Sequence, residues 1–284
     1  MIATQKGGIQ LEIPILQIDT FTSIAFKGNP AAVCLLDEPR PAEWMQNVAA
    51  EMNLSETAFV VPRPNGDGFE LRWFTPAIEV PLCGHATLAS AHALWETGRL
   101  AQDKEARFHT LSGWLIASRN GGGIEMDFPA LFADRAELPK AVEEALDITP
   151  LDVVINRRKD GSGGKFLVEL ESESSVRDVK PDFEKLRRAV NAGVIITAPG
   201  DSRRNSKYDF VSRYFACYAG IDEDPVTGAA HCMLAPYWAA KLDKTAMSAY
   251  QASARGGEVS VRSSGDRVIL GGNAVTVLRG SLFC

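Results

Sequence analysis

Phe69, Leu71 and Trp73 alternate with Glu70 and Arg72, the period of two that marks a strand with one buried face. Similar β-rich runs predict strands over 13–20, 31–36 and up to Val61, with a polar loop over 21–30 between the first two. Over 41–52 the period changes, because Trp44, Val48 and Met52 share one face of a helix. Glu56 then stands at the entrance of a strand, where a side chain can point into a cleft while the sheet holds its backbone. Downstream, 106–110, 113–119 and 124–128 read as a meander divided by Ser-Gly and Gly-Gly-Gly turns. Residues 129–139 show no period and read as a linker. Beyond them the pattern predicts helices over 140–146 and 183–190 and strands over 152–156, 165–170, 194–197 and 210–218. Strands over 248–252, 258–262, 268–271 and 274–282 close the chain, and residues 1–10 read as a loose tail.

One pattern is written twice. When Gly84 is set against Gly228, Pro81-Leu82-Cys83-Gly84-His85 and Pro225-Val226-Thr227-Gly228-Ala229 each lead from a proline through a glycine into a run of small apolar residues that ends at Trp95 and Trp238. From Leu88 to Gly98 that run is apolar nearly all round, so the helix it forms is enclosed by protein, as inside a curled sheet. A helix N-terminus opening on glycine exposes unpaired N–H groups that attract anions. Two such ends facing one cleft would grip an anionic ligand.

The length of 284 residues suits one large domain or two smaller ones, and the duplication favours two. Hydrophobic residues at 45% and charged residues at 23% suffice for an ordinary core. A net charge of −6 and a pI near 5.4 argue against nucleic-acid or acidic-membrane partners and favour a small molecule. The five cysteines contain no CxxC pair and read as reduced thiols. Residues 1–17 lack a targeting pattern and no window is apolar enough for a membrane span, so a soluble, cytoplasmic protein is expected.

Six strings, in order, carry a family resemblance: Gln17-Ile18-Asp19-Thr20-Phe21, Gly28-Asn29-Pro30-Ala31-Ala32-Val33, Asn53-Leu54-Ser55-Glu56-Thr57-Ala58-Phe59, Cys83-Gly84-His85-Ala86-Thr87, Asp224-Pro225-Val226-Thr227-Gly228 and Gly271-Gly272-Asn273-Ala274-Val275. Together they span nearly the whole chain, which resembles the phenazine-biosynthesis PhzF-like family. The resemblance implies an α+β, diaminopimelate-epimerase-like fold. It has two pseudo-symmetric halves, each a curled, mostly antiparallel, barrel-like β-sheet around a central helix. On that pattern the N-terminal half is 1–130, completed by the C-terminal strand 272–284, the second half is 131–271, and the active site lies between them. It further implies a cofactor-independent isomerase or epimerase without a metal. Glu56 would carry a proton from one carbon to another of a small carboxylate-containing substrate, assisted by His85 and Asp224. Asn29, Gly84, Thr227, Gly228 and Ala229 would bind that substrate, in a cytoplasmic homodimer. Ala229 departs from the serine of phenazine-type members, which removes a substrate-contacting hydroxyl.

Other readings stand beside this one. Taken alone, Glu56 is an ordinary solvated strand end, His85 a capping or core histidine, and Asp224 a helix cap. Cys83 at a helix N-terminus suits a cysteine-assisted racemase, or a dehydratase of a hydroxylated amino acid, because the helix end favours thiolate. Thr227 at the matching position opposes a symmetric two-cysteine pair. A non-catalytic small-molecule-binding protein on the same fold would have no need to keep Glu56, His85 and Asp224 together. His92, His109, His231 and Cys232 gain no role, and the last two read as core.

Overall fold

The structure is a computed structural model that describes residues 12–157, 163–201 and 206–283. The tail expected over 1–10 lies outside the described residues. In the first half, β1 (Glu12–Thr20), β2 (Asn29–Leu35), β3 (Glu56–Pro62), β4 (Phe69–Phe74), β5 (Glu79–Val80), β6 (Ala106–Thr110), β7 (Gly113–Asn120) and β8 (Gly123–Pro129) are joined with helices α1 (Ala42–Met52) and α2 (Gly84–Glu96). The chain continues through β9 (Asp134–Arg135), α3 (Lys140–Leu146), β10 (Asp152–Arg157), β11 (Gly164–Glu169), α4 (Glu173–Asp178), α5 (Phe183–Ala189), β12 (Gly193–Pro199) and β13 (Phe210–Ala216). It ends with β14 (Ile221–Asp224), α6 (Gly228–Leu242), β15 (Ala246–Gln251), β16 (Gly257–Ser264), β17 (Arg267–Gly272) and β18 (Ala274–Phe283).

The fold is α+β, with one large, curled, unclosed sheet. Its hydrogen-bonded order is β18-β1-β2-β3-β4-β6-β7-β8 and then β17-β16-β15-β13-β12-β11-β10-β9. The order is a palindrome of structure. β2–β3 and β4–β6 are parallel, and so are their counterparts β11–β12 and β13–β15. The halves meet at the antiparallel pair β8–β17, where Val268 faces Phe128 and Leu270 faces Met126. β5 and β14 are short spurs on β4 and β13 that deliver the chain to α2 and α6.

Both central helices are enclosed, as their lack of a polar face requires. In α2 every residue from Ala86 to Trp95 is buried except His92, and in α6 Met233, Leu234 and Ala235 are buried with Trp238. Small residues let the sheet close down on each helix, while Trp73, Trp95 and Trp238 fill the remaining space. A separate outer layer packs Met45 and Ala49 of α1 on Phe59 and Phe74.

Some elements differ from expectation, each for a local reason. The predicted linker contains β9, which pairs with β10 at Ile155 and Val154 and so continues the sheet. α4 was invisible because its six residues show no apolar period; the cap on Ser172, which accepts from the Ser175 N–H, starts it. The strand predicted over 210–218 stops at Ala216, and a 3-10 turn over Cys217–Ala219 returns the chain as β14. Among the described residues no helix is long and apolar enough to cross a membrane.

Candidate active site

Glu56 is the first residue of β3 and lies beside Ala31 of the parallel strand β2. Cys83 precedes α2 with an extended backbone and no side-chain cap, and Gly84 and His85 open the helix. A Cβ placed on Gly84 would lie 3.7 Å from the Cα of Gly228, so the N-termini of α2 and α6 meet. At this junction His85 Nε2 stands 3.2 Å from Glu56 Oε2, with the two side chains only 7% and 14% exposed. The nitrogen lies off the line of a hydrogen bond and has no partner of that kind among the described residues. On the other side of the ring, Nδ1 is 3.5 Å from Cys83 Sγ.

The second half supplies Asp224. Asn29 Nδ2 donates to its Oδ1 at 2.8 Å and to the Val226 carbonyl at 2.8 Å, which ties the first half to the second. Thr227 Oγ1 donates to Asp224 Oδ2 at 2.5 Å. Gln251, fully buried at the end of β15, donates through Nε2 to the Asp224 carbonyl at 2.7 Å and accepts the Thr227 N–H at 2.9 Å. Gln251 therefore fixes the turn that carries Asp224, a role the sequence reading missed. Its signal was a polar residue at the inward register of Met247 and Ala249.

Arg255 also lies outside the strings that the sequence singled out. Its Nη2 donates to the buried Asp19 at 2.8 Å, and its Nε donates to the Gly28 carbonyl at 2.8 Å. Gly28 adopts a φ of 64°, and a Cβ placed on it would lie 2.0 Å from the Thr20 carbonyl oxygen and 2.8 Å from Thr22 Cγ2, a place that admits no larger residue. The clamp fixes the strand entrance from which Asn29 reaches Asp224.

Burial and Asp224's charge push the Glu56 carboxyl up to about 8, against the opposing hydrogen bond with Cys83. Burial raises Asp224 to about 6, held back by Thr227 and Asn29. Burial alone lowers His85 to about 4. The Cys83 thiol is pushed well above its usual range by burial and by the charge of Glu56. At neutral pH the group thus holds a protonated Glu56, a neutral His85, a thiol and one negative charge on Asp224.

The pseudo-symmetry shows that the halves contribute unequal chemistry. Ala58 pairs with Trp73, which pairs with Val80; Ile195 pairs with Tyr214, which pairs with Asp224. Asp224 accordingly matches Val80, and Glu56 matches Gly193. A Cβ on Gly193 would come within 2.7 Å of Tyr214 Cε2, so the tyrosine ring fills the space. A smaller correspondence is exact in kind: Thr87 Oγ1 donates to the Cys83 carbonyl and His231 Nδ1 donates to the Thr227 carbonyl, each one turn into its helix.

The remaining residues fall as follows. Thr227 and Gly228 lie at the start of α6 and Ala229 is half-buried in its first turn. His92 sits with Thr276 and Glu96 towards the far end of α2, and His109 pairs with Glu70 on the surface. His231 and Cys232 are buried in α6. Glu56, Cys83 and His85 present donor atoms within 4.8 Å of one another, a set chemically able to hold a metal ion.

Residues 18–280 match the phenazine biosynthesis-like protein family. An uncharacterized isomerase of Halalkalibacterium halodurans is 48% identical over 270 residues, covering 95% of this chain and 98% of that protein. A human phenazine biosynthesis-like domain-containing protein is 41% identical over 291 residues, covering 96% and 99%. The crystal structure of a PhzF-family phenazine biosynthesis protein from Enterococcus faecalis superposes with a TM-score of 0.88 at 38% identity, covering 96% of this chain and all of that one. A hydroxyproline epimerase from Agrobacterium vitis shares the fold alone, with a TM-score of 0.56 at 10% identity over 96% and 92%.

Proposed function

This chain belongs to the phenazine biosynthesis-like protein family, whose relatives include named isomerases, and from that premise we propose that Glu56 moves a proton within a small carboxylate-bearing substrate. The observation that carries the reading is Glu56 itself, a nearly enclosed carboxyl held at about 8 beside an uncharged imidazole and between two helix N-termini. An exposed carboxylate near its ordinary pKa is a weak base for a carbon acid, whereas one near 8 is matched to that task.

In its carboxylate form Glu56 takes the proton from a substrate carbon, and the electron pair of that C–H bond delocalises towards the substrate's acidic group. That proton, exchanging in part with solvent while Glu56 holds it, then returns to another carbon, which restores Glu56. N–H groups around Gly84, Gly228 and Ala229 receive the substrate carboxylate, as helix ends do. Asp224, fixed by Asn29, Thr227 and Gln251, keeps the Glu56 proton tightly held, and His85 remains neutral as a donor or acceptor. The cycle as written draws on no metal or organic cofactor. We place the enzyme in the cytoplasm as a homodimer, which small-angle scattering of the purified chain tests for stoichiometry.

The contact between Cys83 and His85 favours a second reading, in which the thiol assists a racemase or dehydratase. Full activity of Cys83→Ala would remove it. The principal experiment is incubation of small carboxylates with the protein in D₂O: wild type is expected to incorporate deuterium, and Glu56→Gln is expected to lose that incorporation. Equal rates in the two would exclude Glu56 as the proton carrier.

A further inference from the structure

The same junction brings together three side chains of different chemistry. Glu56 comes from β3, Cys83 from the residue before α2, and His85 from the helix's first turn, and their donor atoms all lie within 4.8 Å. His85 Nε2 and Glu56 Oε2, at 3.2 Å, already have the separation expected of neighbours on one ion. Around a tetrahedral zinc, ligands at their usual bond lengths are about 3.5 Å apart, so no gap needs to contract by more than about 1.3 Å. All three side chains are anchored by sheet or helix backbone.

A second observation points to a ligand. His85 is 5% exposed, yet among the described residues its Nε2 has no hydrogen-bond partner, and it is aimed at Glu56 Oε2 3.2 Å away. A buried imidazole nitrogen left so pays a desolvation cost that a bound ion would remove. Thiolate, imidazole and carboxylate together are the donor set of zinc and its relatives, whereas magnesium and calcium prefer oxygen alone. Three protein ligands leave a fourth position for water or a substrate oxygen.

We propose that Glu56, Cys83 and His85 form a site for a thiophilic divalent cation of the zinc type, which occupies the resting pocket and excludes the proton-carrying form of Glu56. The Cys83 thiol and the Glu56 carboxyl each give up a proton to buffer as the metal–sulfur and metal–oxygen bonds form, with no change of oxidation state. The cation is then an inhibitor of the proposed isomerase, and its removal restores Glu56 to the substrate. This inference rests on the assignment of Glu56 as proton carrier for its regulatory meaning, although the site itself does not.

Cobalt(II) is the probe, added to the full chain after chelator treatment under a non-thiol reductant. Expected are one equivalent bound, a thiolate-to-cobalt charge-transfer band and the intense ligand-field bands of tetrahedral cobalt, all displaced by zinc. Cys83→Ser should lose the charge-transfer band, Cys232→Ala should keep it, and Glu56→Gln should weaken binding at least tenfold. Glu56→Gln also serves if Cys83→Ser does not fold. Weak octahedral bands only, a charge-transfer band that survives Cys83→Ser, or unchanged binding in Glu56→Gln would overturn the site. The spectrum reports ligands whether or not Glu56 moves protons, so a failure here leaves the D₂O result standing, and the reverse holds.

Discussion

Asn29 and Asp224, remote in sequence, are joined by a hydrogen bond of 2.8 Å, so the acid that adds to the effect of burial in raising Glu56 is held by a strand of Glu56's own half. Asn29 Nδ2 also takes the Val226 carbonyl, and the pair makes the relation of the two halves part of the site. Asn29→Ala should therefore cost about 1–3 kcal/mol in a denaturant titration, the range for leaving buried polar partners unmet. Asn29→Asp would place a second carboxylate against Asp224 and should be worse. A titration midpoint for Asn29→Ala within error of wild type would contradict the role.

Gly193 and Tyr214 make the second half silent where the first half has Glu56. Gly193→Ala drives a Cβ into the Tyr214 ring, an overpacking expected to cost about 1–3 kcal/mol. Replacing Tyr214 by Leu in the same chain should recover much of the loss by clearing that space. If Gly193→Ala is as stable as wild type, the tyrosine does not fill the position as described.

The raised pKa of Glu56 has a definite sign for stability. Between its ordinary 4.5 and about 8 the folded chain holds a proton that the unfolded chain has released. Stability from this group is therefore fully present below 4.5 and falls as pH rises through about 8. Glu56→Gln cannot titrate, so wild type should lose on the order of a few kcal/mol relative to it across that window. Urea titrations at stepped pH measure the difference; parallel curves would contradict the burial of Glu56.

The same group sets the activity profile. Because the carboxylate form takes the proton, deuterium incorporation at subsaturating substrate should rise with pH and level off above about 8. A plateau already reached near 5 would mean that an ordinary exposed carboxylate, and not Glu56, is titrating.

Much of this architecture was legible in the chain. The apolar circumference after Leu88 announced an enclosed helix, and the repetition around Gly84 and Gly228 announced a second one. What pattern could not show was contact across sequence: Gln251 lies far along the chain from Asp224 and Arg255 farther still from Asp19, and neither has a local period to betray it. α4 and β9 are too short for periodicity, and they form because a cap and a neighbouring strand hold them. The 3.2 Å approach of His85 to Glu56 likewise depends on how β3 packs beside α2, a tertiary fact.

The most direct measurement concerns the fate of one hydrogen. A substrate found in the D₂O screen, labelled with deuterium at the carbon that loses its proton, is turned over once in H₂O and the product examined by NMR. A single enclosed carboxyl that takes and returns the same proton should deliver a measurable fraction of the label to the receiving carbon. Product without any transferred deuterium would contradict Glu56 as the one carrier.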